Sequence, residues 1–350
     1  MANPTLSVVI PNYNHSAFLA RALTALGEQS KSVLEVIVID DGSTDNSVEI
    51  IKQFAAKFPV IKLHENGTNK GAHATVARGI SLAKGDYLYF GAADDEVAAG
   101  LFEKSMALLQ RYPQAALCCT IGDFREAATG VNWYWGVGIA DKPCYLSPKD
   151  LVAVEKRGKL YIPPNSVVMK RSALLEVGQF DPELKFCCDW YAMYVAAFRH
   201  GICFVPEPLA IFHVQPNSYY HRIRSDQTEY SKTLERLMER LMRPENQGVV
   251  ELIREGGSLG MYATPMLKVL LSRPEYRRFI TPTFLRRNLS HSAKLFLKRH
   301  SPPWLVNWYL KFSSYGAGSA NRGSGSAPTS RARTRCASAS SWRRFSRRTC

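Results

Sequence analysis

The sequence predicts an α/β fold with a mostly parallel central sheet, helices on both faces, and a C-terminal helical extension. Three observations predict it. Short continuous apolar runs alternate with helical periodicity through the first half of the chain, the pattern of strands covered on both faces by crossover helices. Two of those runs end in carboxylates, Asp40-Asp41 and Asp94-Asp95-Glu96, which puts one site at one edge of one sheet. Beyond residue 220 the texture changes to amphipathic helices rich in Lys and Arg.

The elements follow in order. Leu6–Ile10 is an apolar strand, and Pro11-Asn12-Tyr13-Asn14-His15 is a turn-rich loop. A helix starts near Ser16, with Phe18, Leu19, Ala22, Leu23 and Leu26 on one face. Strand Glu35–Asp40 comes next, and Asp45 or Ser47 caps a helix running to Lys57. Val60–Leu63 is a third strand, Gly71–Ala83 a helix stopped by Gly85, and Asp86–Gly91 the strand that carries the second acidic run. Helix Leu101–Arg111 and strand Ala115–Thr120 complete the alternation.

From Gly122 to Cys144 the pattern weakens, and Trp133-Tyr134-Trp135 reads as either a strand or an aromatic loop. Ser147-Pro148 opens a short helix. Ser166–Met169 is a strand, Arg171–Val177 is a helix closed by Gly178, and Trp190–His200 is expected to be an amphipathic helix closed by Gly201. Ile202–Val205 and Leu209–His213 are expected to complete a smaller mixed sheet, with Pro206 and Pro208 marking an edge. Three regions result: an α/β domain over 1–220, a basic amphipathic helical region over 221–315, and a disordered Ser/Gly/Arg-rich tail over 316–350.

The formal charge of +15 is unevenly spread. Residues 1–219 hold 20 Lys and Arg against 22 Asp and Glu, residues 220–315 hold 17 against 8, and the tail adds eight arginines and no acid. The part with the acidic clusters is therefore nearly neutral. No nucleic-acid motif accompanies the basic part, which argues against a nucleic-acid partner. The eight cysteines include no Cys-x-x-Cys, so neither a zinc site nor a disulfide framework is expected. Met1-Ala2-Asn3-Pro4 leads straight into a strand, and no run approaches 18 apolar residues. The chain reads as cytoplasmic, with peripheral contact on the inner membrane face as an option.

Burying unpaired carboxylates at a strand end is costly. Acidic clusters persist there when something positive sits among them, most simply a divalent cation with a phosphorylated ligand. A single acid at the N-terminus of helix Leu101–Arg111 would serve the helix dipole alone. Turn and cap chemistry is the competing account of Asp40, Asp41 and Asp45.

Four segments in order carry a resemblance. They are Ser7-Val8-Val9-Ile10-Pro11-Asn12-Tyr13-Asn14, Val36 through Asp45, Lys84-Gly85-Asp86-Tyr87-Leu88 through Asp94-Asp95, and Val177-Gly178-Gln179-Phe180-Asp181 followed by Asp189-Trp190. Over residues 5–220 the chain resembles the family 2, nucleotide-sugar-dependent glycosyltransferases of the GT-A fold. The resemblance implies an inverting, metal-dependent enzyme moving a sugar from a nucleoside diphosphate donor, UDP-sugar favoured, to an acceptor hydroxyl of a glycan or lipid-linked glycan. It implies nucleotide binding by Pro11, Tyr13, Asn14, Asp41 and Asp94, with Tyr13 stacking on the base and Asp41 accepting from its ring N–H. It implies Mg²⁺ or Mn²⁺ on Asp95 and Asp94, with His213 as a further ligand, and Asp189 as general base. Tyr13 as loop packing, Asp189 as a helix cap and His213 as a structural histidine are the plainer roles.

Three positions depart from the family pattern. Ala92 stands where many members have a further Asp, Thr75-Val76-Ala77 replaces a donor-contacting Asn pattern, and His213 and Gln215 fall where relatives often have Arg and His. Ala92 and Ala77 prompt a second reading, an inactive nucleotide-sugar-binding scaffold. Residues 268–311 carry ten Lys and Arg against one Glu, interleaved with Leu, Phe and Trp. That composition suits an anionic membrane surface or a solvated helical cap.

Overall fold

The structure is a computed structural model and describes residues 3–126, 131–214, 226–302 and 305. Six strands run parallel: β1 (Leu6–Asn12), β2 (Glu35–Asp40), β3 (Ile61–Glu65), β4 (Tyr87–Phe90), β6 (Leu117–Glu126) and β10 (Ile202–His213). Four run against them: β5 (Glu96–Val97), β7 (Val131–Trp135), β8 (Cys144–Leu146) and β9 (Val168–Lys170). The sheet order is β3-β2-β1-β4-β9-β6-β10-β5, with β7 on β6 and β8 on β10. In register, Asn12 lies opposite Asp40, so the loops after β1 and β2 leave the sheet together.

Helices α1 (Ser16–Glu28), α2 (Ser47–Lys57) and α4 (Leu101–Arg111) supply Leu19, Leu23, Ile51, Phe102 and Leu109 to one face of the sheet. The other face is covered by α3 (Ala72–Leu82), α5 (Pro148–Lys156), α6 (Arg171–Glu176) and α7 (Cys188–His200). Ser147 caps α5 in a capping box with Asp150. The C-terminal helices α8 (Gln227–Leu241), α9 (Gln247–Gly256), α10 (Ala263–Ser272) and α11 (Pro282–His300) join that same second core through Leu234, Leu237, Ile253, Met266, Leu270 and Phe284. The described residues all belong to one compact unit.

Two expectations are corrected. Residues 202–213 do not complete a smaller separate sheet, because they form the single strand β10 inside the main sheet. Pro206 and Pro208 sit where the ladder shifts register, between the stretch paired with β8 and the stretch paired with β5. The missing N–H groups fall in that gap, so the strand continues. Helix α7 is not amphipathic: Trp190 through Phe198 are all buried, since the C-terminal helices cover its outer side.

Electrostatic ties join the C-terminal helices to the rest. Arg240 of α8 donates through Nε to Asp181 (2.7 Å) and also pairs with Glu183. Arg287 of α11 pairs with the fully buried Glu155 of α5, and burial lowers the Arg287 pKa to about 10. The Ser/Gly/Arg-rich tail, Gln215, Trp304, Trp308 and Tyr309 lie outside the described residues. The described cysteines are free thiols.

Candidate active site

The parallel strands end at one edge, and the candidate residues gather along it in three groups. The first knits the loops after β1 and β2. Asn12 donates to Asp40 Oδ1 (2.8 Å), and Ser43 closes onto Asp40 through its amide (2.9 Å) and hydroxyl (2.5 Å). Asn14, at φ 55°, accepts the Thr44 amide (2.8 Å) on its side-chain oxygen, while its own N–H donates to Ser43 Oγ (2.9 Å). Asp45 accepts the amides of Ser16 (2.9 Å) and Ser47 (3.0 Å), joining the starts of α1 and α2. Burial works against the Asp45 charge, yet these bonds hold its pKa at about 2. Pro11 lies in β1 opposite Ile39. Tyr13, the next residue after β1, is 42% exposed.

The second group centres on Asp41, which is 3% exposed. Its carboxylate accepts Asn66 Nδ2 (2.7 Å), the Lys70 amide (2.9 Å) and the Gly71 amide (2.8 Å). Desolvation pushes its pKa up, but these donors and Thr75 outweigh it and hold the acid ionised below the usual range. Asn66 is clamped in turn by Arg78 (2.5 Å). Gly42 turns at φ 76°, and a Cβ there would meet the backbone of Thr68 and Asn69 at 2.9 Å. Asp41 thus fixes the Asn66–Gly71 loop through three donors, with the Thr75 hydroxyl against the same carboxylate.

The third group surrounds Asp94-Asp95-Glu96. Asp95 accepts the side-chain amide of Asn165 on Oδ2 and the backbone N–H of His213 on Oδ1 (2.9 Å). Burial and the neighbouring Asp94 push its pKa up to about 7, against the pull of those donors and Arg21. Arg21 ties the run together, donating to the Asp94 carbonyl (2.9 Å) and to Glu96 (2.8 Å). The imidazole Nε2 of His213 is engaged by Glu96 (2.6 Å). Among the described residues no three His, Cys, Asp or Glu side chains are grouped as a metal cage. Two adjacent carboxylates, one of them holding a proton more tightly than usual, still fit Mg²⁺ or Mn²⁺, which takes one or two protein carboxylates and completes its shell with phosphate and water.

Asp189 stands on the same edge. Helix α7 ends at His200 and feeds β10 from the opposite edge, so its first turn is at the carboxylate end of the sheet. The loop before it returns to that edge, with Phe180 against Phe90 of β4 (4.9 Å, edge-on). The cap of α7 is Cys187, so Asp189 sits inside the first turn and is not the N-cap. Its Oδ1 accepts the Trp190 amide (2.7 Å), and burial pushes its pKa up to about 6. No hydrogen bond or ion pair among the described residues joins it to Asp94 or Asp95.

Sequence reasoning missed Asn66, Asn165 and the Arg21–Glu96–His213 chain. Asn66-Gly67 is a turn signal, which marks the loop without its target. Nothing local marks Asn165, whose bond to Asp95 spans 70 residues of chain.

Comparison with known proteins identifies the fold and the family. Residues 7–178 match the family model "Glycosyl transferase family 2". The chain is 41% identical over 136 residues to the uncharacterized glycosyltransferase YibD of Escherichia coli, covering 38% of this chain and 39% of that one. It is 29% identical over 134 residues to a PGL/p-HBAD biosynthesis glycosyltransferase of Mycobacterium bovis, covering 38% and 52%. The match to YibD therefore spans about two fifths of that relative's length. Among solved structures, Staphylococcus aureus TarS 1–349 in complex with UDP-GlcNAc aligns with a TM-score of 0.57 at 13% identity, covering 89% of this chain and 92% of that one. The mannosyltransferase PcManGT of Pyrobaculum calidifontis, in complex with GDP-Man and Mn²⁺, aligns at 0.50 and 16%, covering 89% and 86%. The mixed sheet and its covering helices are those of a GT-A fold, and over residues 7–178 the chain carries a family 2 glycosyltransferase domain.

Proposed function

We propose that this protein is an inverting, metal-dependent glycosyltransferase that moves a sugar from a nucleoside diphosphate donor to an acceptor hydroxyl. The observation that carries the reading is Asp95, half-buried beside Asp94 with a raised pKa and held by Asn165 and His213 at the edge where Asp41 shapes a loop and Tyr13 is exposed. Asp94 and Asp95 would hold Mg²⁺ or Mn²⁺, whose charge offsets that of the diphosphate. Tyr13 offers a stacking face for the base, and Asp41 is the acceptor for its ring N–H. Asp189 accepts the proton of the acceptor hydroxyl as its oxygen bonds to the anomeric carbon. The bond from that carbon to the diphosphate oxygen breaks, and the nucleoside diphosphate leaves with the electron pair. A pKa near 6 suits a base working close to neutral pH.

The fold shared with a UDP-GlcNAc complex supports a UDP-sugar donor, and the Mn²⁺ complex of the mannosyltransferase supports the metal. A glycan or lipid-linked glycan is the acceptor class. No helix among the described residues is long and apolar enough to cross a membrane. Helix α11 nevertheless exposes Leu285, Leu289 and Phe296 along one side, within the stretch of ten cations and one acid, and we place that side on an anionic lipid surface.

Donor hydrolysis tests the core of the reading. The full chain is incubated with UDP-, GDP- and dTDP-sugars and Mn²⁺ or Mg²⁺, with Asp95→Ala alongside. Slow nucleotide release that needs both metal and Asp95 supports it. Metal-dependent binding without release, with or without acceptors, would favour the scaffold. Neither binding nor release would end both.

A further inference from the structure

The tryptophan run that sequence patterning left open as a strand or an aromatic loop is strand β7, and it builds a surface that the donor site does not use. Cross-strand register places Phe124 of β6 beside Trp133 of β7 and Phe212 of β10, and Gly122 beside Trp135. In-register neighbours share one face of a sheet. On that face the Phe124 ring stacks on Phe212 (4.2 Å, 8°) and Trp133 (5.6 Å, 12°) and touches Trp135 (4.5 Å). Trp135 in turn meets Tyr161 (4.4 Å). Gly122 is the floor: a Cβ there would lie 2.9 Å from the rings of Phe124 and Phe212 and 3.1 Å from Pro163.

Cross-strand aromatic pairing stabilises a hairpin and accounts for Phe124 with Trp133. It does not account for Trp135, left 41% exposed at the outside of the cluster, nor for where the cluster sits. Two routes lead from it to Asp95. Phe212 directly precedes His213, whose N–H donates to Asp95, and Tyr161 and Pro163 lead to Asn165, the other donor. Asp123 and Arg125, which flank Phe124, alternate to the opposite face and pair with each other (2.8 Å). The ledge around Trp133 and Trp135 therefore presents broad π-faces rather than that ion pair.

A pyranose ring has complementary chemistry. One of its faces is a patch of C–H bonds, weakly positive and apolar, which sits on the negative face of an indole, while the hydroxyl rim stays in water. We propose that Trp133, Trp135 and Tyr161 form an acceptor subsite that stacks a neutral pyranose ring beside the carboxylate cluster. The subsite rests on the glycosyltransferase reading and narrows its acceptor to a carbohydrate.

The test pairs two measurements on the full chain. Saturation-transfer NMR uses the methyl pyranosides of glucose, galactose, mannose and N-acetylglucosamine as probes, and calorimetry measures UDP, GDP and dTDP binding with Mn²⁺. The expected result is saturation of the ring C–H protons of at least one pyranoside. Trp135→Leu, which keeps apolar bulk and removes the π-face, should weaken that binding roughly threefold to tenfold. Trp135→Phe should retain most of it, and nucleotide binding should match wild type in both variants. No saturation of any pyranoside while nucleotide binds, or equal pyranoside binding in Trp135→Leu, would overturn the subsite. Pyranoside binding with no nucleotide binding would instead overturn the donor reading, and with it the acceptor assignment.

Discussion

The side-chain amide of Asn165 donates to Oδ2 of Asp95, and the Asn165 carbonyl accepts the buried Tyr89 hydroxyl (2.7 Å). One turn thus locks a carboxylate of the candidate metal site to the strand that delivers it. Partners that orient metal ligands typically carry 10- to 100-fold in affinity or activity. Asn165→Ala is expected to lower Mn²⁺-dependent donor turnover by roughly that factor. A titration of Mn²⁺ against donor hydrolysis checks it, and an unchanged metal requirement would remove Asn165 from the site.

Asp189 gives a prediction in which activity and stability move in opposite directions. Its folded pKa of about 6 lies above the ordinary carboxyl value of 3.8, so between those values the folded state binds more protons than the unfolded state. Its contribution to stability therefore falls as pH rises from about 4 to about 6, and the cost persists above that range. Asp189→Asn should stabilise the fold at pH 7.5 by about 2 kcal/mol and abolish transfer. Wild-type kcat/KM should rise with pH through about 6 as the base ionises. Thermal melts and a pH–rate profile test the two halves separately.

The pair between Glu155 and Arg287 is nearly closed to water. Removing one partner leaves a buried charge unmatched, so Arg287→Met is expected to cost about 3–5 kcal/mol. Glu155→Leu with Arg287→Met should recover most of that loss, as measured by urea denaturation.

Asp41 carries the opposite linkage. Its depressed pKa means that its stabilising contribution is full above the ordinary carboxyl value and is lost as pH falls through the lower folded value. Asp41→Asn removes the charge that the Lys70 and Gly71 amides point at, with an expected cost of about 1–3 kcal/mol and weaker donor binding. Denaturation at pH 7 and calorimetry with UDP and Mn²⁺ check both.

The exposed side of α11 makes the lipid contact testable. Flotation with vesicles containing anionic lipid should carry the protein, and Leu289→Asp should reduce the floated fraction several-fold by placing a charge in the apolar stripe. Equal flotation on neutral vesicles, or none on either, would rule the contact out.

The strands that bear the site were legible because buried parallel strands are continuous apolar runs. Val36–Ile39 and Tyr87–Phe90 could hardly be anything else, and Leu101–Arg111 has the bounds that its periodicity implies. Strand β6 continues past Thr120 to Glu126 through Gly122, Asp123 and Arg125, where apolar content fades and only pairing with β7 and β10 sustains it. The acidic residues at the edge were legible as a group, but their partners were not. Asn66 and Asn165 reach Asp41 and Asp95 across 25 and 70 residues, and no local pattern encodes a contact of that range. The burial of α7 was hidden for the same reason, since its cover arrives from later in the chain.

That cover bears on how such domains can be recombined. With Trp190 through Phe198 all buried, the central part of the helix that presents Asp189 has no native water-facing surface. A chimera that exchanges residues 226–300 for those of another family member would replace the mould against which α7 is cast. Diversification of the C-terminal helices is thereby tied to the helix that carries Asp189, and the two must be exchanged as one cassette.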